Sequence, residues 1–137
     1  MIASLPSHMQ RILVVDDEEN IRHLLLVTLK KAGFEPTAAP GAVEALRLLQ
    51  EQEFGVVISD VRMPDRNGYE VFRTAREHAP GAAIILMTGF GYDPNHSIVR
   101  SNQEGLEAFL FKPFRVAQLI EEVHKALEGS GSRSAGD

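Results

Sequence analysis

Four times along this chain a short, largely apolar stretch runs into a polar side chain. ILVV (12–15) stops at Asp16 and Asp17, VVIS (56–59) at Asp60, AIILM (83–87) at Thr88, and AFLF (108–111) at Lys112. Apolar runs of this length without alternation mark strands buried on both faces. Between them, apolar residues recur at helical spacing. Residues 20–32 align Ile21, Leu24, Leu25, Thr28, Leu29 and Ala32 and end at Gly33, suited to a helix C-terminus. Residues 42–52 turn Ala45, Leu46, Leu48 and Leu49 inward, residues 69–78 form a third helix closed by Pro80 and Gly81, and residues 116–127 form the last. With a weaker strand at 34–39 and a further helix between Thr88 and residue 108, five strands alternate with five helices. Such alternation builds a parallel sheet covered on both faces. Right-handed crossovers make it doubly wound, with its crevice outside the carboxyl ends of the strands. Asp16, Asp17, Asp60, Thr88 and Lys112 should therefore meet on one edge.

A chain of 137 residues suits one domain. Residues 1–9 lack any periodic pattern and read as a leader or cloning remnant, 10–128 as the folded domain, and the Gly/Ser-rich 129–137 as a flexible tail. The absence of cysteine excludes disulfides, thiolate metal sites and cysteine nucleophiles, and suits a reducing cytoplasm. A net charge of −5 with acids and bases interspersed argues against nucleic acid as a partner. No apolar run is long enough to span a bilayer and no signal pattern opens the chain.

Carboxylates gathered from separate strands resist ionising together unless a cation sits among them. Oxygen ligands without histidine or cysteine select a hard ion, Mg²⁺ or Mn²⁺. Lys112 is a point charge suited to a phosphoryl oxygen, Thr88 can donate a hydrogen bond to another, and one carboxylate is left as a nucleophile. Plainer readings exist for each residue. Asp16 and Asp17 could cap the first helix, Glu18 and Glu19 are first-turn acids that complement its dipole, and Phe109 could be ordinary core. The acid ending a second buried strand, Asp60, favours the chemical reading.

Taken together, DD (16–17), DVRMPDRNG from Asp60, TG (88–89) and KPF (112–114) resemble the receiver domain of two-component response regulators. The resemblance covers the whole folded region. It implies a flavodoxin-like five-stranded parallel sheet of order 2-1-3-4-5 with five helices. It implies that Asp60 accepts a phosphoryl group from a histidine kinase or histidine phosphotransfer protein, with Mg²⁺ held by Asp17, Asp60 and the backbone carbonyl of Arg62, and by Asp16 through water. Thr88 and Lys112 would bind phosphoryl oxygens and Gly89 would leave room for them. Thr88 and Phe109 would switch the face made by the fourth helix, fifth strand and last helix. The Lys112–Pro113 bond would be cis, and Ile21, Pro113 and Phe114 would meet the partner. The chain would assist only its own phosphorylation and dephosphorylation, and is not otherwise an enzyme.

Two departures from the family stand out. The interval from Thr88 to Lys112 is lengthened and carries Pro94, which cannot sit inside a helix; this predicts a remodelled fourth helix and a monomer. Arg62 places a long cation beside the nucleophile. Alternative settings are a receiver excised from a hybrid histidine kinase or, more remotely, an aspartate-nucleophile phosphohydrolase. The latter needs an acid two residues past its nucleophile, where this chain has Arg62. A flavodoxin-like cofactor binder would want a hydroxyl- and glycine-rich loop after the first strand, where this chain has acids. No output domain follows residue 128, so output would pass through a partner or a further domain.

Overall fold

The computed structural model describes residues 10–60, 68–79, 81–88 and 106–136. In chain order they form β1 (Arg11–Val15), α1 (Glu19–Lys31), β2 (Glu35–Ala39), α2 (Ala42–Glu51), β3 (Val56–Asp60), α3 (Gly68–His78), β4 (Ala83–Thr88), β5 (Leu106–Phe111) and α4 (Val116–Gly136). All strand pairings are parallel and the sheet order is β2-β1-β3-β4-β5. The fold is thus the flavodoxin-like α/β arrangement. Four helices lie among the described residues; the fifth one expected falls on 89–105, outside them.

Side chains alternating along each strand feed two cores. Leu13, Val15, Val57, Ile84 and Leu86 pack with Ala42, Ala45, Leu48 and Leu49 of α2 and Ala75 of α3. Ile12, Val14, Val56, Ile58, Ile85 and Met87 pack with Leu25 and Leu29 of α1 and Leu119, Val123 and Ala126 of α4. Strands so covered leave no polar face, which is why their sequences read as unbroken apolar runs. Leu46, expected to point inward, is only half-buried.

The end of α1 follows from its sequence. Gly33 adopts φ 98°, the left-handed conformation that lacks a Cβ penalty only in glycine. Its N–H donates to the Lys30 carbonyl (3.1 Å) and the Phe34 N–H to the Leu29 carbonyl (3.0 Å), a Schellman closure. Phe34 and Leu29 then share one core cluster.

Two boundaries differ from expectation. β5 begins at Leu106 instead of Ala108, because the register skips Glu107: Ile84 pairs with Leu106 and Ile85 with Ala108. The bulge places a charged residue where the apolar pattern breaks, so the pattern alone starts the strand late. α4 continues past Glu128 to Gly136, through the stretch read as a tail. Gly129, Ser130, Gly131 and Ser132 are poor helix formers, so this extension is propagated from the turns before it.

β1 is bonded to both β2 and β3, so the winding reverses between β1 and β3. At such a switch point the strands' carboxyl ends open a crevice. Ile58 sits centrally in β3 with no exposure. Ile58→Ala should lower unfolding free energy by about 2–5 kcal/mol, read by urea denaturation; a loss under 1 kcal/mol would mean the core re-closes over the cavity.

Candidate functional site

Asp16 follows β1 directly, Asp60 is the last residue of β3, Thr88 the last of β4, and Lys112 follows β5. Asp16, Asp60 and Thr88 are all buried. Asp16, Asp17 and Asp60 each offer a carboxylate oxygen within 4.8 Å of the others. Two full charges that close repel by about 3 kcal/mol at an effective dielectric near 20, so burying Asp16 and Asp60 together demands a counter-charge.

Lys112 supplies it. Its Nζ lies 2.8 Å from Asp16 Oδ2 and 2.9 Å from Asp60 Oδ2, donating to both, with Glu18 Oε1 at 3.5 Å. Burial of the ammonium works to lower its pKa. The hydrogen bonds and charges of the two aspartates outweigh that and hold it well above the ordinary lysine range.

The backbone explains how these groups arrive. The Lys112 N–H donates to the Thr88 carbonyl (2.7 Å), carrying the β4–β5 ladder one residue beyond the strand. On β3, Ser59 Oγ donates to the Asp60 carbonyl (3.1 Å). After β1, the Asp16 N–H donates to the Ala39 carbonyl of β2 (3.2 Å). Asp16 Oδ1 accepts the Glu18 N–H (2.9 Å), and the Asp16 carbonyl accepts Arg22 Nη1 (2.8 Å). The N-cap of α1 is Glu18, without a side-chain cap bond, so neither aspartate caps the helix. The capping reading fails because the chain needs two further residues to leave the sheet before α1 begins.

Other expected residues fall as follows. The Lys112–Pro113 peptide is cis. Pro113 is exposed, while Ile21 and Phe114 pack, partly buried, against the same core cluster. The backbone of Phe109 pairs with Leu86 in β5; its side chain is outside what is described. Arg62 and Gly89 also lie outside the described residues. Two residues at the site escaped the sequence. Glu18, read as a helix-dipole acid, reaches Lys112. Arg22, read as nothing in particular, holds the Asp16 backbone. A cation one turn into a helix behind an acidic pair is the signal that was present for Arg22.

Three carboxylate oxygens, a hydroxyl-bearing neighbour and no histidine or cysteine make a donor set fit for a hard divalent ion. The Lys112 ammonium lies between the carboxylates of Asp16 and Asp60, a point charge of the kind suited to a phosphoryl oxygen.

Fold and site together define a receiver-type module of the doubly wound α/β class. Residues 12–124 match the response regulator receiver domain, and the chain belongs to that family. Such domains work with histidine kinases in two-component systems and hold Mg²⁺ in an acidic pocket. The response regulator receiver protein CpdR of Brucella abortus is 33% identical over 122 residues, which cover 87% of this chain and 98% of CpdR. The C4-dicarboxylate transport transcriptional regulatory protein DctD of Rhizobium meliloti is 35% identical over 117 residues, 85% of this chain but 25% of DctD. The chain thus spans about a quarter of DctD and nearly all of CpdR. Among solved structures, the beryllofluoride-activated NtrC4 receiver domain dimer is 34% identical with a TM-score of 0.79, covering 89% of this chain and 99% of that one. A receiver domain from Clostridium thermocellum is 31% identical, also at 0.79, covering 88% and 96%.

Because its folded pKa is raised, Lys112 contributes stability that is present below the unfolded value and lost as pH climbs through the folded one. The stability gap between the wild type and Lys112→Met should therefore stay level from pH 7 to 9. It should shrink only above the ordinary lysine value of about 10.4, as measured by urea denaturation. A gap that closes below pH 9 would contradict the ion pairing.

Proposed function

We propose that this chain is the phosphoacceptor of a two-component phosphorelay. Asp60 takes a phosphoryl group from the phosphohistidine of a histidine kinase or histidine phosphotransfer protein. One observation carries the reading: the half-buried ammonium of Lys112 is shared by Asp16 and Asp60 within an acid cluster at the switch point of the sheet.

A carboxylate oxygen of Asp60 attacks phosphorus, the P–N bond to the donor imidazole breaks, and a P–O bond to Asp60 forms. Attack by a carboxylate calls for no general base, unlike attack by a hydroxyl. Asp17, Asp60 and the Arg62 carbonyl are the direct holders proposed for Mg²⁺, with Asp16 acting through water and Mn²⁺ an acceptable substitute. When bound, the ion neutralises charge on the phosphoryl oxygens and the carboxylates. Lys112 meets one phosphoryl oxygen as a point charge, the Thr88 hydroxyl donates to another, and Gly89 leaves space. Catalysis here is positioning and charge neutralisation, and the chain turns over no substrate beyond its own phosphate.

Phosphorylation then draws Thr88 inward and lets Phe109 rotate, shifting a pre-existing equilibrium of the face around β5 and α4. The kinase-facing surface is Ile21 with Pro113 and Phe114; Pro113 is exposed, and Ile21 and Phe114 are each only partly buried against the same core cluster. The setting is the cytoplasm, and among the described residues no helix is long and apolar enough to cross a membrane. The hybrid-kinase setting draws no support from the relatives above. Transcriptional output, as in DctD, would belong to sequence outside this domain. The proposed state is a monomer. The activated NtrC4 receiver is a dimer, so sedimentation of the phosphorylated domain decides: a monomer is expected, and a phosphorylation-dependent dimer refutes it.

Incubation with a small acyl phosphate and Mg²⁺ should give an acid-stable, base-labile phosphate adduct, lost in Asp60→Asn and on chelation. An adduct that survives Asp60→Asn would place the acceptor elsewhere.

A further inference from the structure

We infer that Arg22 is a positioning residue for the divalent-cation site, acting on the backbone of Asp16 and not on any acid side chain. The inference rests on the metal-holding reading given above. Arg22 lies one turn into α1, its N–H donating to the Glu18 carbonyl at 3.0 Å. Helix side chains lean toward the N-terminus, so its guanidinium reaches back across the preceding turn. There Nη1 donates to the Asp16 carbonyl at 2.8 Å, with the Arg22 side chain half-buried.

Asp16 has no exposure, so a carbonyl there without a partner would be costly, and it lies just past the end of the β1 ladder. The Arg22 bond completes a three-point fastening. The N–H of Asp16 is tied to Ala39, its carboxylate to Glu18, and its carbonyl to Arg22. Asp17 sits between Asp16 and Glu18, which are bonded to each other, and one oxygen of its exposed carboxylate lies within 4.8 Å of oxygens of Asp16 and Asp60. Lys112 cannot do this work. It holds the carboxylates that the cation would take, whereas Arg22 holds an atom the cation does not need.

Charge alone would give Arg22 the opposite effect. A fixed cation beside three carboxylates repels a divalent ion, so its removal would tighten binding. Loss of a positioning contact weakens it, by roughly tenfold for a residue behind metal ligands. Arg22→Met keeps the aliphatic stem and removes every donor. Calorimetric titration of the domain with MgCl₂ should show Kd about tenfold above the wild type, at both low and high ionic strength. Phosphorylation by an acyl phosphate should return to within about twofold of the wild type once Mg²⁺ saturates. Mg²⁺ affinity equal to or tighter than the wild type's overturns the inference, as does a rate deficit that persists at saturation. Should Arg22→Met not fold, Arg22→Gln is judged by the same criteria. Failure of the wild type itself to bind Mg²⁺ would overturn the metal-holding reading and this inference with it; binding by the wild type and equal binding by the variants overturns this inference alone.

Discussion

The contact between Lys112 and the two buried aspartates is the interaction on which the site depends. Asp16 follows β1 and Asp60 ends the adjacent β3, and nothing in a parallel ladder prevents their carboxylates from meeting. β5 stands three strand spacings from β1, about 14 Å. A charge arriving from β5 must therefore cross the end of β4 to serve both acids. A flexible four-carbon stem ending in a compact ammonium can do so, where a planar guanidinium would need a matching fork of acceptors. The Lys112 N–H bonded to the Thr88 carbonyl sets the starting point for that crossing. Removing the lysine would leave like charges buried side by side.

The two cores explain why the polar residues collect where they do. With helices on both faces, the middle of β1, β3 and β4 is apolar throughout, and the carboxyl ends are the nearest places where the sheet reopens. Asp16, Ser59, Asp60 and Thr88 are the buried polar residues among the described ones, and all four sit at these ends. Ser59 and Thr88 carry hydroxyls, which tolerate burial once bonded, and Ser59 bonds to the Asp60 carbonyl. The site thus grows out of the sheet's topology, with few residues added for its sake alone.

Much of this was legible in the sequence because strands buried on both faces advertise themselves as apolar runs, and the residue ending each run is then exposed to view. Asp16, Asp60, Thr88 and Lys112 were readable on that ground. Other features were hidden for physical reasons. The bulge at Glu107 interrupts the apolar pattern, so β5 starts earlier than hydrophobicity indicates. Leu46 is apolar yet half-buried, since a short helix presents more leucines than its inward stripe can cover. Glu18 and Arg22 were missed because a side chain on a first helical turn can point to solvent or back over the loop, and composition does not distinguish the two. Only the entry angle of α1, set by the bonds at Asp16, decides it.

Those bonds separate two kinds of contact at one residue. The carboxylate of Asp16 is held by an ammonium whose hydrogen bonds would have to rearrange for a water of a divalent ion to meet that oxygen. The carbonyl and N–H of Asp16 are held by Arg22 and Ala39, which compete with no ion. A site built this way can exchange the partner of its acids while the path of the chain stays fixed, because the exchangeable and the permanent contacts fall on different atoms. A loop fastened only through its carboxylates would have to be rebuilt each time a cation arrived. The guanidinium–carbonyl bond spares this loop that reorganisation, and through Ile21, the neighbour of Arg22, it joins the acidic loop to the core packed by α1 and α4.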